Sequence, residues 1–121
     1  RDYRSPDLVL LGPDRLDRLR RTHIEGGPTV AVEIRSPGDE TYEKCELYAA
    51  VDTSEVWVID RDSKSPEIHV LGPSGYVPTP FDGEGRLKSH ATGVRLRSKP
   101  KNRIELQVGT EETTLIELPE P

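Results

Sequence analysis

The chain has 121 residues with 32% hydrophobic and 32% charged side chains, 10 glycines, 11 prolines and a formal net charge of −5. That is one modest domain with many turns, and its acidic balance excludes binding to nucleic acid or membranes through global charge. A single cysteine, Cys45, excludes an internal disulfide and a multi-cysteine zinc site. The strongest apolar runs, such as Leu8–Leu11, are too short for a transmembrane helix or a signal-peptide core. This predicts a cytoplasmic protein with no membrane partner. The chain starts at Arg1 and holds no methionine, which reads as a processed or truncated piece.

In chain order, Asp7–Leu11 reads as a short buried strand stopped by Gly12-Pro13, and Asp14–Thr22 as a short helical turn. Thr29–Arg35 is the best strand, β-branched and apolar like a central strand covered on both faces. Ser36-Pro-Gly-Asp39 stops it. A helix is then expected from a cap at Asp39 or Thr41 to about Ala50, with Tyr42, Cys45, Tyr48 and Ala49 as its buried stripe and a Glu40–Lys44 pair on its surface. Glu55–Asp60 is a strand, and Pro66–Leu71 follows after a polar turn as its antiparallel partner. Gly72–Gly85 is loop with an edge segment near Tyr76. Val94–Arg97, Ile104–Val108 and Thr113–Leu118 alternate as late strands, the last two forming a hairpin. The order predicts an α/β or α+β fold with a mixed sheet and one main helix.

Glu33 stands out because it interrupts an apolar strand, where a carboxylate is costly unless it is paired or binds a metal. By alternation it shares a face with Ala31 and Arg35. Two readings are open: an ion pair of Glu33 with Arg35 or Lys44, or a divalent-metal site formed by Asp7 and Glu33. Hard cations such as Mg²⁺ take oxygen ligands and keep several waters, so two carboxylates suffice.

Arg4-Ser-Pro-Asp7-Leu-Val, Pro28-Thr-Val-Ala-Val-Glu33-Ile-Arg-Ser-Pro-Gly-Asp-Glu-Thr-Tyr-Glu-Lys44, Leu47-Tyr-Ala-Ala and Glu55-Val-Trp-Val-Ile-Asp60 stand in an order that resembles the Uma-two family of restriction endonucleases, within the PD-(D/E)xK nuclease superfamily. The resemblance covers about residues 4–77, and 85–97 loosely. It implies a restriction-endonuclease-like core over residues 1–80, lacking an N-terminal helix and hairpin, with a β-rich C-terminal extension over 81–121. It also implies a Mg²⁺- or Mn²⁺-dependent endonuclease acting on DNA phosphodiesters, with homodimers common among such enzymes. Asp7 and Glu33 would be metal ligands together with the Ile34 carbonyl. Arg35 occupies the position where the wider superfamily has lysine, and Lys44 matches the lysine on the following helix. Both would be catalytic cations, although Arg35 cannot act as a base.

Arg86, Lys88, Arg95, Arg97, Lys99, Lys101 and Arg103 form a run with no acid between its ends, a candidate surface for a nucleic-acid backbone or a solvated strand face. Arg15, Arg18, Arg20 and Arg21 read as a solvated helix face. His69, between Ile68 and Val70, is expected on the solvent side of its strand. His23 and His90 share no ligand spacing with it, and Trp57 is expected in the core. Two other classes compete with the nuclease. One is a catalytically inactive nuclease-fold module that binds nucleic acid or a partner protein. The other is an oligomerisation domain that pairs through its late edge strands.

Overall fold

The computed structural model describes residues 8–18, 26–36, 38, 42–101, 103–108 and 112–117. Strands β1 (Leu8–Leu10), β2 (Val30–Arg35), β3 (Glu55–Asp60), β4 (Pro66–Gly72) and β5 (Gly75–Pro78) form one sheet in sequential order. β2 and β3 are parallel and the other neighbours antiparallel, so the sheet is mixed. Strands β6 (Leu87–Lys88), β7 (Arg95–Lys99), β8 (Arg103–Val108) and β9 (Glu112–Glu117) form a second, fully antiparallel sheet. A short helix, α1 (Cys45–Ala50), lies in the crossover from β2 to β3. The α+β nuclease-like fold expected from the sequence is present.

Both faces of the first sheet are covered, which is why β2 and β3 read as continuous apolar runs rather than alternating ones. Val30, Val32, Trp57, Ile59 and Ile68 project to one face and pack on Leu87, Leu96 and Ile104 of the second sheet. Ala31, Val56 and Val58 project to the other face and pack under Tyr48 of α1. Three layers result: helix, mixed sheet, antiparallel sheet. Each wholly buried Val, Ile or Leu in them contributes roughly 1.5–3 kcal/mol. Trp57 is in the core as expected.

The helix is shorter than the periodicity suggests. Tyr42–Lys44 form a turn, and the helix proper starts at Cys45 with no side-chain cap. The expected caps Asp39 and Thr41, and Glu40, lie outside the described residues. Tyr42 is 41% exposed and so is no part of a buried stripe, whereas Tyr48 is buried. α1 ends where Asp52 adopts φ +65° and the Thr53 N–H donates to the Tyr48 carbonyl at 3.0 Å. Gly27 runs against this end; a β-carbon there would lie 2.2 Å from the Val51 carbonyl oxygen.

Two polar fasteners hold the layers. Glu55, 1% exposed at the start of β3, accepts hydrogen bonds from Trp57 Nε1 (2.9 Å), Ser89 Oγ (2.6 Å) and the Ala91 N–H (2.8 Å). It thereby ties the first sheet to the β6–β7 connection. Arg15, on the 3₁₀ helix Pro13–Arg18, corrects the expectation of a solvated cationic face. It is buried, donating to the Pro28 carbonyl at 2.8 Å and to Ser54 Oγ at 3.2 Å. Arg20 and Arg21 lie outside the described residues, as does the side chain of Arg18.

Candidate active site

Glu33 sits near the carboxyl end of β2, on the face toward α1, with its side chain 3% exposed. Lys44, in the turn leading into α1, donates from Nζ to Oε1 at 3.0 Å. The Tyr48 hydroxyl, one helical turn further on, donates to Oε2 in a short hydrogen bond. The spacing explains the convergence: residues 44 and 48 lie one above the other on one side of a helix. Of the two ion pairs open from the sequence, the structure forms Glu33–Lys44. An ion pair this deep is weak evidence of stabilisation, because desolvation offsets most of the Coulombic gain. Glu33 lies two residues before the carboxyl end of β2, the end toward which open α/β sheets bind ligands.

Arg35 does not join Glu33. The parallel register sets it beside Asp60, and its guanidinium donates to Asp60 Oδ2 at 3.2 Å while lying 5.3 Å from the Tyr42 ring centroid. Asp60 also accepts the Ser63 and Asp62 N–H groups, each at 2.9 Å. The Ser63 N–H is the largest influence on its carboxyl; with Asp62 and Arg35 it outweighs burial and holds the group below the usual carboxylate range. Arg35 is thus a fixed positive charge at the lip of the site.

Two residues that sequence reasoning left aside complete this face. Val58 pairs with Glu67 and Val56 with His69, so both point toward α1. His69 is therefore not on the solvent side. Its side chain is 15% exposed, with Nε2 2.8 Å from Glu67 Oε1 and its ring edge-on to Tyr42. The Tyr42 hydroxyl also donates to Glu67, at 2.9 Å. Burial, then that hydrogen bond, raises the Tyr42 pKa, so the phenol stays protonated. Glu67 lies two strands from Glu33, about 10 Å across the sheet, and its carboxylate is engaged by Tyr42 and His69. The signal that could have found it is the hairpin register, which sets position 67 beside position 58.

Cys45 is half-buried beside Glu33. Burial, and secondarily that carboxylate, push its thiol pKa up, which disfavours the thiolate. Asp7 lies outside the described residues. Described pairing of β1 with β2 runs from Leu10–Val30 to Leu8–Val32. The Thr29 and Arg35 carbonyls accept from β3, at 3.1 and 2.8 Å, so by alternation the Ile34 carbonyl faces the β1 side. Among the described residues, no three His, Cys, Asp or Glu side chains converge as a metal site.

The cationic run falls elsewhere. Leu87, Leu96 and Ile104 turn inward to the first sheet, so Lys88, Arg95, Arg97, Lys99 and Arg103 project from the outer face of the second. Both sheets lie between them and Glu33. Glu105 sits among them, accepting from Arg86 at 3.2 Å and pairing with Arg97 at 3.0 Å. Burial works against its charge, but Arg86, Arg97 and Lys99 outweigh it and hold its carboxyl below the usual range.

A mixed sheet with one short helix on one face and an antiparallel sheet on the other is a nuclease-like α+β fold. The chain belongs to the Uma2 family, whose model is described as "Putative restriction endonuclease" and matches residues 1–99. No curated protein matches it. Among the described residues no helix is long and apolar enough to cross a membrane.

Proposed function

We propose that this chain is a Mg²⁺-dependent endonuclease that hydrolyses DNA phosphodiesters on the α1 face of its mixed sheet. The observation that carries the reading is the Glu33–Lys44 pair, a buried carboxylate with a part-buried ammonium 3.0 Å away, near the carboxyl end of β2.

The donor set suits a hard divalent cation: Glu33 offers carboxylate oxygens, and the Ile34 carbonyl faces the same side as β1. In the sequence Asp7 precedes Leu8 and Glu33 follows Val32, the partner of Leu8, which supports Asp7 as the second carboxylate ligand. An ion held by Asp7, Glu33 and the Ile34 carbonyl would supply Lewis acidity toward the phosphate and an acidified water. Lys44 holds the Glu33 carboxylate in place and presents a positive charge where the phosphate gains negative charge on attack. Tyr48 fixes the second Glu33 oxygen, so that the carboxylate is oriented before substrate arrives. Arg35, braced by Asp60 and Tyr42, adds a permanent cation at the rim for a phosphate oxygen.

Cleavage of supercoiled plasmid in Mg²⁺ tests this. The wild-type protein nicks or linearises the plasmid, and chelation stops it. Glu33→Ala and Lys44→Ala each lower the rate by about a hundredfold or more. Undiminished cleavage by Glu33→Ala at equal metal would sink the proposal.

A further inference from the structure

We infer that the outer face of the second sheet is a separate docking surface for the phosphate backbone of duplex nucleic acid, on the opposite side of the molecule from Glu33. The inference goes beyond the nuclease reading and does not depend on it. Six cations share this face: Arg86 beside β6, Lys88 on β6, Arg95, Arg97 and Lys99 on β7, and Arg103 on β8. The described acids that fall among them are Glu105, Glu117 opposite Arg103 in the register and, at the edge, Asp82 and Glu84. The face thus keeps more cations than acids in a chain whose net charge is −5.

The geometry suits a backbone rather than bases. Side chains two apart on β7 repeat every ~6.8 Å and adjacent strands lie ~4.8 Å apart, so the cations form a flat lattice rather than a pocket. None of the described residues on this face is aromatic, which removes the stacking platform that single strands need. Among the described residues no helix lies on this face to enter a groove and read base edges. Arg86 and Arg97 are held in fixed positions by Glu105, with their side chains 16% and 27% exposed. Lys88 forms no ion pair among the described residues, and Lys99 acts on Glu105 only from a distance, so both can meet phosphates directly. Duplex is the occupant because its high axial charge density matches a flat cationic face with neither aromatic nor pocket.

The test uses the full chain carrying Glu33→Ala, without metal, so cleavage plays no part and failure of the catalytic reading leaves the result intact. Binding of a short blunt duplex and of the matching single strand is followed by fluorescence anisotropy across roughly 50–200 mM salt. The duplex is expected to bind more tightly, with affinity falling steeply in salt. Lys88→Gln, Arg95→Gln and Lys99→Gln combined should reduce the log–log salt slope by up to about 2.7, at about 0.9 for each lost phosphate contact. Glu84→Gln removes an exposed acid 2.7 Å from Arg86 and should tighten binding, a gain that misfolding cannot imitate. An unchanged slope in the triple variant, a preference for the single strand, or absence of duplex binding at the lowest salt would each overturn the inference.

Discussion

The mixed sheet buries two glutamates almost equally, Glu33 at 2% exposure and Glu55 at 1%, and uses them in opposite ways. Glu55, at the entry of β3, faces the second sheet and takes its hydrogen bonds from an indole, a hydroxyl and a backbone N–H. Those donors are neutral and fixed, and they come from two layers. Glu33, near the exit of β2, faces α1 and is held by an ammonium and a phenol, both on the segment leading into and along that helix. The first arrangement locks structure. The second gathers ionisable groups near the carboxyl end of β2, on the face where the proposed reaction would take place. Burial alone does not mark a functional carboxylate; the chemistry and the origin of its partners do.

The largest effect separating the two is on stability. Glu55→Ala leaves Trp57 Nε1, Ser89 Oγ and the Ala91 N–H without their acceptor in a dry interface, and should destabilise the fold by about 3 kcal/mol or more. A urea titration reads this as a lowered midpoint, and hydrogen exchange should show β6 and β7 losing protection first. Glu33→Gln should lower stability by only about 1 kcal/mol, because Lys44, 20% exposed, can swing to water. The same substitution should abolish metal binding and cleavage, whereas Glu55→Gln, in whatever fraction stays folded, should leave both intact. Equal losses of stability from Glu55→Ala and Glu33→Gln would break the contrast.

Much of this contrast was legible in the sequence, but only one side of it. Glu33 announced itself because apolar residues flank it in Val-Ala-Val-Glu-Ile. Glu55 did not, because it follows Thr53-Ser54 and looks like the polar start of a strand. Its partners Ser89 and Ala91 lie far along the chain, in a second sheet whose first strand is only two residues long. Local pattern gave the strands of the first sheet and the β3–β4 hairpin, since period and turn chemistry are local. The partner of Arg35 was not readable, because Asp60 becomes its neighbour only through the parallel register. The separation of the cationic run from Glu33 was equally hidden: it follows from which face of the second sheet packs inward. The helix came out too long because Tyr42 and Lys44 fit its periodicity, although they sit in the turn that precedes it.

Smaller effects concern the carboxylates held below their usual range. Asp60 and Glu105 are depressed in the folded state, so each contributes stability above the unfolded carboxyl pKa of about 4, and loses it as pH falls through the folded value. The protein should therefore lose stability in the acid range, and Glu105→Gln should flatten that limb while lowering neutral-pH stability by about 1 kcal/mol. Thermal melts between neutral and acid pH check this; an acid limb identical to wild type would show that Glu105 is not part of it. The smallest expected change is Tyr48→Phe, which removes one hydrogen bond to Glu33 and should lower the urea midpoint by the equivalent of about 1 kcal/mol.

The central claim is that Glu33 is a metal-binding carboxylate and Glu55 a structural one, and calorimetric titration of Mn²⁺ tests it most directly, since Mn²⁺ prefers the same oxygen ligands as Mg²⁺. The account predicts binding by the wild-type protein and by Glu55→Gln, and none by Glu33→Ala or Asp7→Ala. Binding that survives in Glu33→Ala, or its absence from the folded wild-type protein, would contradict it and leave Glu33 as an ion-pair partner of Lys44.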